Sequence, residues 1–264
     1  NSLNMLKAIY IYPIKSLGGI SLPEATLEAR GITLDRRWIL TDLDGKMLTQ
    51  RTIPAMAQLK TSLHESGIKV NNSTKESSDS LLIPFNQHTS EALTIQVWDT
   101  KGKALAVSAE ADAWFSKNLG MPCRLWYMPE HSDRNLQSSY TSYKGPMSFA
   151  DGWPLLVVSE ASLAALNDRL DEPVPMNRFR PNLVVSGEFA FQEDTWQKIQ
   201  IGSTTIEGGK PCGRCVMVTI NQQTAEKGKE PLKTLASWRK TDSEKVVFGW
   251  NMFSRDGGKL KVGD

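Results

Sequence analysis

Short runs of alternating apolar and polar residues, broken by glycine, proline and asparagine turns, recur from one end of the chain to the other. A period of two puts neighbouring side chains on opposite faces of a strand, so this pattern commits most of the chain to β-structure. Residues 6–13 show it first, with Leu6, Ala8, Tyr10 and Tyr12 on one face and Lys7, Ile9 and Ile11 on the other. Asp44-Gly45 between 38–41 and 47–49 signals a hairpin, because both residues tolerate positive φ. Further strands are expected at 81–84, 93–99, 123–127, 155–158, 183–185, 198–201, 204–207, 216–220 and 246–253. Helical signals are few and short. Ser108 caps 109–118, with Glu110 and Asp112 in the first turn and Gly120 at the end; Ser159 caps 160–170; a third helix starts near Pro231. The expected fold is mainly β (α+β), barrel-like in each half, with a boundary at Met121-Pro122 dividing 5–120 from 121–264.

At 264 residues and 40% hydrophobic content the chain can bury one large core or two modest ones. Lysine and arginine total 31 against 29 acids, a net +2 that gives no general reason to expect nucleic acid or an anionic membrane. Cys123, Cys212 and Cys215 do not make a disulfide framework, which favours a reducing compartment, and no apolar run approaches the roughly 20 residues of a membrane helix. A soluble, cytoplasmic protein is the expectation. The residues ahead of Met5 read as an appended leader, and 71–80 and 132–143 read as polar surface loops.

The candidate chemistry gathers at Lys210-Pro211-Cys212-Gly213-Arg214-Cys215. Structural zinc needs two ligand pairs, and only one is present, with His64, His88 and His131 scattered. A thioredoxin-type pair needs a helix after its first cysteine, where β-branched residues instead predict a strand over 216–220. No histidine can be assigned to a catalytic thiol. Two readings stay open: unreactive thiols in a hairpin, or one thiolate on a soft metal beside the positive charge of Lys210 and Arg214.

Other cations read less clearly. Lys15-Ser16 is either a solvated strand end or an anion contact. Arg36 and Arg37 should point to opposite faces of a strand, so at most one reaches a shared site. Arg180, preceding Pro181, is expected in extended backbone, sharing a face with Arg178. Cys123 reads as a buried, inert thiol in an apolar strand.

Five motifs occur together and in order: Tyr12-Pro13-Ile14-Lys15-Ser16, Asp35-Arg36-Arg37-Trp38, Ser159-Glu160-Ala161-Ser162-Leu163, Arg178-Phe179-Arg180-Pro181-Asn182 and Cys212-Gly213-Arg214-Cys215. On these the chain resembles the MOSC domain family, in the branch that holds the YcbX-type proteins and the mitochondrial amidoxime-reducing component. The resemblance implies a MOSC-type β-barrel domain preceded by a smaller N-terminal β-barrel module. It also implies the molybdenum cofactor in its molybdopterin form, with Cys215 as metal ligand and catalytic residue. Lys15, Ser16, Arg36, Arg180, Asn182, Gly213, Arg214 and Asn251 are then the cofactor-binding set, with Arg214 as the charge partner of Cys215. Cys212 is left between packing and a redox or supporting role.

The implied activity is an oxidoreductase acting on N-hydroxylated or N-oxide-type substrates; the alternatives are a cofactor carrier or sulfur-handling module, or a binding module that has lost the cofactor. The family label also includes pyridoxal phosphate binding. Asn251 stands where the mitochondrial relatives tend to carry tyrosine, and Gly213 where serine is frequent. The sequence ends without the ferredoxin-like domain of YcbX-type proteins, and three cysteines cannot hold an iron–sulfur cluster, so electrons are expected from a separate donor of ferredoxin or cytochrome b5-reductase type.

Overall fold

The computed structural model describes residues 4–76 and 78–264, so the expected leader falls outside the described residues for positions 1–3. The fold is mainly β, with three short α-helices among the described residues: Ala109–Leu119, Glu160–Asn167 and Leu232–Trp238. Ser108 caps the first by accepting from the Ala111 N–H, and Gly120 closes it in left-handed backbone. The second stops at Asn167, short of the expected 170.

The largest sheet has seven strands in the order Lys198–Ile201, Thr204–Gly213, Val247–Phe253, Leu155–Ser159, Leu183–Val185, Leu6–Ile11 and Ile20–Leu22. All its pairings are antiparallel except Leu155–Ser159 with Leu183–Val185. A second sheet joins Trp38–Thr41, Arg124–Tyr127, Thr100–Ala106 and Ala92–Val97, and two three-stranded sheets complete the body. Strand Leu6–Ile11 thus lies in a sheet built mostly by the C-terminal half, while Arg124–Tyr127 pairs with strands of the N-terminal half.

Several local expectations change. A register shift between Leu6 and Ala8 turns Leu6 to the side of Ile9 and Ile11, and all three enter one core with Leu155, Val157 and Leu183. Thr100–Ala106 is an unanticipated strand, so residues 98–99 form a hairpin tip and not the end of a strand. The residues after Asp44-Gly45 return through a single bridge, Thr41 to Met47. Residues 216–219 form a 3-10 turn, Val216–Thr219, where a strand was expected. Strand Thr204–Gly213 instead runs on through Cys212, leaving Cys215 just beyond its end.

Candidate functional site

The first wall of the site forms where strand Leu6–Ile11 ends in Tyr12, Pro13 and a turn. Lys15 is buried there, and its Nζ donates to the Phe149 carbonyl at 2.8 Å and to Asp151 Oδ1 at 2.6 Å. Burial pushes the Lys15 ammonium down to about 8, against the opposing pull of Asp151. Burial alone would raise the Asp151 carboxyl, but the Lys15 charge and hydrogen bond hold it well below the usual range. Ser16 follows in left-handed backbone, φ 71°.

Arg36 and Arg180 flank the Tyr12 ring, with guanidinium carbons 4.4 and 4.3 Å from its centroid. Both residues have left-handed φ, 48° and 54°. This corrects the expected extended Arg180: the preceding 3-10 turn Met176–Arg178 and fully buried Phe179 swing the chain round, and tertiary packing overrides the pre-proline preference. Arg37 leaves in another direction, to Tyr127 Oη, the Met128 carbonyl and Glu130. Arg36 pairs with Asp35 at 2.7 Å, whereas Arg180 has no carboxylate partner among the described residues. Burial pushes Arg180 down to about 10, and its buried Nη2 lacks any hydrogen-bond partner among the described residues. Asn182 links the wall together: Oδ1 accepts from the Leu156 N–H at 3.1 Å and Arg36 Nη1 at 3.5 Å, and Nδ2 donates to the Tyr10 carbonyl.

The opposite wall is the end of strand Thr204–Gly213 and the residues after it. Arg214, expected beside Cys215, instead places Nη1 3.1 Å from Cys212 Sγ and Nη2 on the Phe179 carbonyl. The guanidinium at Cys215 belongs to Arg51, whose Nε lies 3.3 Å from Sγ. Two residues along an extended strand share a face, so Arg214 reaches back to Cys212, and Cys215 turns toward the N-terminal half. A Cβ at Gly213 would meet nothing within 4 Å, so a serine would fit there. Asn251, on strand Val247–Phe253, donates to the Pro211 carbonyl at 3.5 Å.

These walls enclose a cleft of ≈ 130 Å³ lined by Arg36, Arg180, Asn182, Gly213, Arg214, Cys215 and Asn251, continued by a recess that adds Lys15 and Ser16. All nine site residues expected from sequence therefore meet in one place. Among the described residues, six cations line the cleft and recess (Lys15, Arg36, Arg51, Arg178, Arg180, Arg214) against one carboxylate, Asp151. Such an excess, with an unpaired buried guanidinium nitrogen, fits a multiply charged anion. The half-buried Cys215 thiol at its edge is a soft ligand.

Arg51, Asp151, Trp98 and Arg134 escaped the sequence reading. Arg134 lies in a stretch expected to be a surface loop, yet it is 1% exposed and ties down the carbonyls of Ser148, Ala150 and Asp151. Its sequence neighbours, Ser132, Asp133 and Asn135, are polar and gave no local sign of burial. Cys123 is buried as expected, and burial pushes its thiol up.

No helix among the described residues is long and apolar enough to cross a membrane. The MOSC N-terminal beta barrel domain matches residues 3–122, and the MOSC domain matches residues 144–264. Mitochondrial amidoxime-reducing component 1 of Mus musculus is 32% identical, over 97% of this chain and 79% of its own length. Mitochondrial amidoxime reducing component 2 of Bos taurus is also 32% identical, over 97% and 80%. Molybdenum cofactor sulfurase of Oryza sativa subsp. japonica is 31% identical over 92% of this chain, which spans 32% of that relative's length. The mitochondrial names do not fit the expected cytoplasmic location. The two matched domains and similarity along nearly the whole chain make this protein a member of the MOSC domain family.

Proposed function

We propose that the cleft binds the molybdenum cofactor and that the protein is an oxidoreductase of N-hydroxylated or N-oxide-type compounds. The observation that carries this reading is the meeting of Cys215 with six cations and an unpaired Arg180 Nη2 in one cleft. Cys215 is the metal ligand. Lys15, Arg36 and Arg180 hold the phosphate end by charge, with Arg180 Nη2 gaining the acceptor it lacks among the described residues. Asn182 fixes Arg36, and Arg51 balances the negative charge on the Cys215 sulfur. When bound, the cofactor supplies two-electron redox chemistry at its metal. Overall, the substrate N–O bond breaks with uptake of two electrons and two protons, giving the amine and water. The electrons come from a separate donor protein of ferredoxin or cytochrome b5-reductase type.

Purification from molybdate-supplied cells tests the reading. The expected result is molybdenum and pterin retained with the protein, and reduction of an N-hydroxylated compound by a chemical reductant. Full activity in Cys215→Ala would overturn it. A second reading, a cofactor carrier or sulfur-handling module, draws on the similarity to the rice molybdenum cofactor sulfurase. Transfer separates the two, since a carrier gives its cofactor to an apo-enzyme within minutes and an oxidoreductase retains it.

A further inference from the structure

Trp98 occupies an unusual place for a large aromatic residue. It sits at the tip of the hairpin formed by Ala92–Val97 and Thr100–Ala106, with φ 55° and 45% of its surface exposed. Two-residue hairpin turns that need a positive φ at their first position favour glycine, so tryptophan is strained there. The side chain is nevertheless held firmly. Its ring stacks on the Arg51 guanidinium at 4.2 Å, and its Nε1–H donates to Asp151 Oδ1 at 2.9 Å. The tip is braced from behind: Gln96 Nε2 donates to the Trp98 carbonyl, and the buried Arg134 donates to Thr100 Oγ1.

The two residues that hold the ring belong to the site. Arg51 touches Cys215 Sγ, and Asp151 pairs with Lys15. Trp98 also stands between two depressions. One, of ≈ 650 Å³, opens directly into the cleft through Asp151, Trp153, Cys212, Gly213 and Asn251. The other, of ≈ 940 Å³, is a groove with Met47, Leu48, Ile53 and Met121 in its wall and Arg51 in common with the cleft. Methionine-bearing walls adapt to varied apolar shapes. An exposed, immobilised indole one guanidinium away from the candidate metal ligand is suited to a flat partner.

We propose that Trp98 is a specificity-determining residue: its indole is the platform on which the flat, conjugated body of the substrate rests while the N–O group lies at Cys215. The inference rests on the oxidoreductase reading and narrows its substrate class to aryl or otherwise planar N-hydroxylated compounds. The strain at Trp98 then has a function, because the turn that costs the hairpin conformational ease is what presents the ring at the cleft mouth.

The test compares N-phenylhydroxylamine with N-methylhydroxylamine, which carry the same N–O group with and without a ring. The proteins are the cofactor-loaded wild type, Trp98→Gly and Trp98→Phe. For Trp98→Gly, the ratio of kcat/KM for the phenyl over the methyl compound is expected to fall about tenfold, the size of one lost aromatic stack. Trp98→Phe keeps a ring face and should retain most of that ratio. Molybdenum content and melting temperature are read in parallel, so that loss of cofactor or of fold is separated from loss of the platform; Trp98→Phe, which keeps the ring face on Arg51, should keep both.

Calorimetric binding of N-phenylhydroxylamine without reductant gives a readout independent of turnover, with about tenfold weaker binding expected in Trp98→Gly. Trp98-dependent binding without turnover by the wild type would overturn the oxidoreductase reading and uphold the platform. An unchanged phenyl-to-methyl ratio, or unchanged calorimetric affinity, in metal-loaded Trp98→Gly overturns the platform.

Discussion

Lys15, Ser16 and Arg180, on the inner wall of the cleft, are all at least nine-tenths buried, and Ser16, Arg36 and Arg180 have left-handed backbone. Across from them, Cys212, Cys215 and Asn251 are half-buried, and Cys215 has extended backbone with φ −129°. The inner wall spends stability on desolvated charge and backbone strain, while the outer rim supplies reactive atoms from a strand end at little conformational cost. On the proposed function, charge recognition and metal ligation are thus separated in space and in energy. Substitutions on the two sides should therefore fail in different ways.

The largest effect should come from the rim. Cys215→Ala is expected to lose bound molybdenum, with activity down at least about 100-fold, while Tm changes little because the thiol is half-buried; metal analysis and calorimetry check both. On the inner wall, Arg180→Met should weaken cofactor retention by about 10- to 100-fold but raise the stability of the cofactor-free protein by about 1 kcal/mol, because it removes a buried charge with no carboxylate partner. A fall in apo stability would show that the Tyr12 stack outweighs desolvation.

Arg51→Ala should cost about tenfold in metal retention, and Arg214→Ala less at the metal itself, because Arg51 hydrogen-bonds the Cys215 sulfur whereas Arg214 reaches Cys212. Equal losses would erase the distinction between the two thiols. Lys15 links the comparison to pH. Its ordinary value of 10.5 drops on burial to about 8, so cofactor retention should fall about tenfold as pH rises from 7 to 9 and the ammonium loses its proton. Stability runs the other way. Between about 8 and 10.5 the unfolded chain binds more protons than the folded one, so unfolding free energy from this group rises with pH. Lys15→Arg should flatten the retention profile over that range. The smallest effect is at Ser16, where glycine should stabilise the protein by about 0.5 kcal/mol through relief of its φ of 71°, measured by denaturant titration.

Much of this site was readable from residue types and order. The motifs around Lys15, Arg36, Arg180 and Cys215 each carry their chemistry in a few adjacent letters, and their resemblance to a family implied that they converge. Arg51 and Asp151 carry no such local mark. Nothing in the sequence around Arg51 or Asp151 singles them out, and packing brings Arg51 to the sulfur of Cys215 and Asp151 to the Lys15 ammonium. The sequence predicts a strand over 93–99 that includes Trp98; the turn there depends on the pairing of Ala92–Val97 with Thr100–Ala106.

The alternating pattern and the helix caps at Ser108 and Ser159 were enough by themselves to determine a mainly β chain with few helices, and the spacing of Cys212 and Cys215 to put two thiols in one loop with their role left open. These are local properties, set by backbone preference and side-chain period. Which thiol each arginine faces, which way Arg180 turns, and which tryptophan stands at the cleft were decided only by tertiary structure. Those choices depend on contacts between residues distant in the sequence, from Trp98 with Asp151, 53 positions apart, to Arg51 with Cys215 and Tyr12 with Pro181, 164 and 169 apart, whose energies overrule local backbone preference once the core closes.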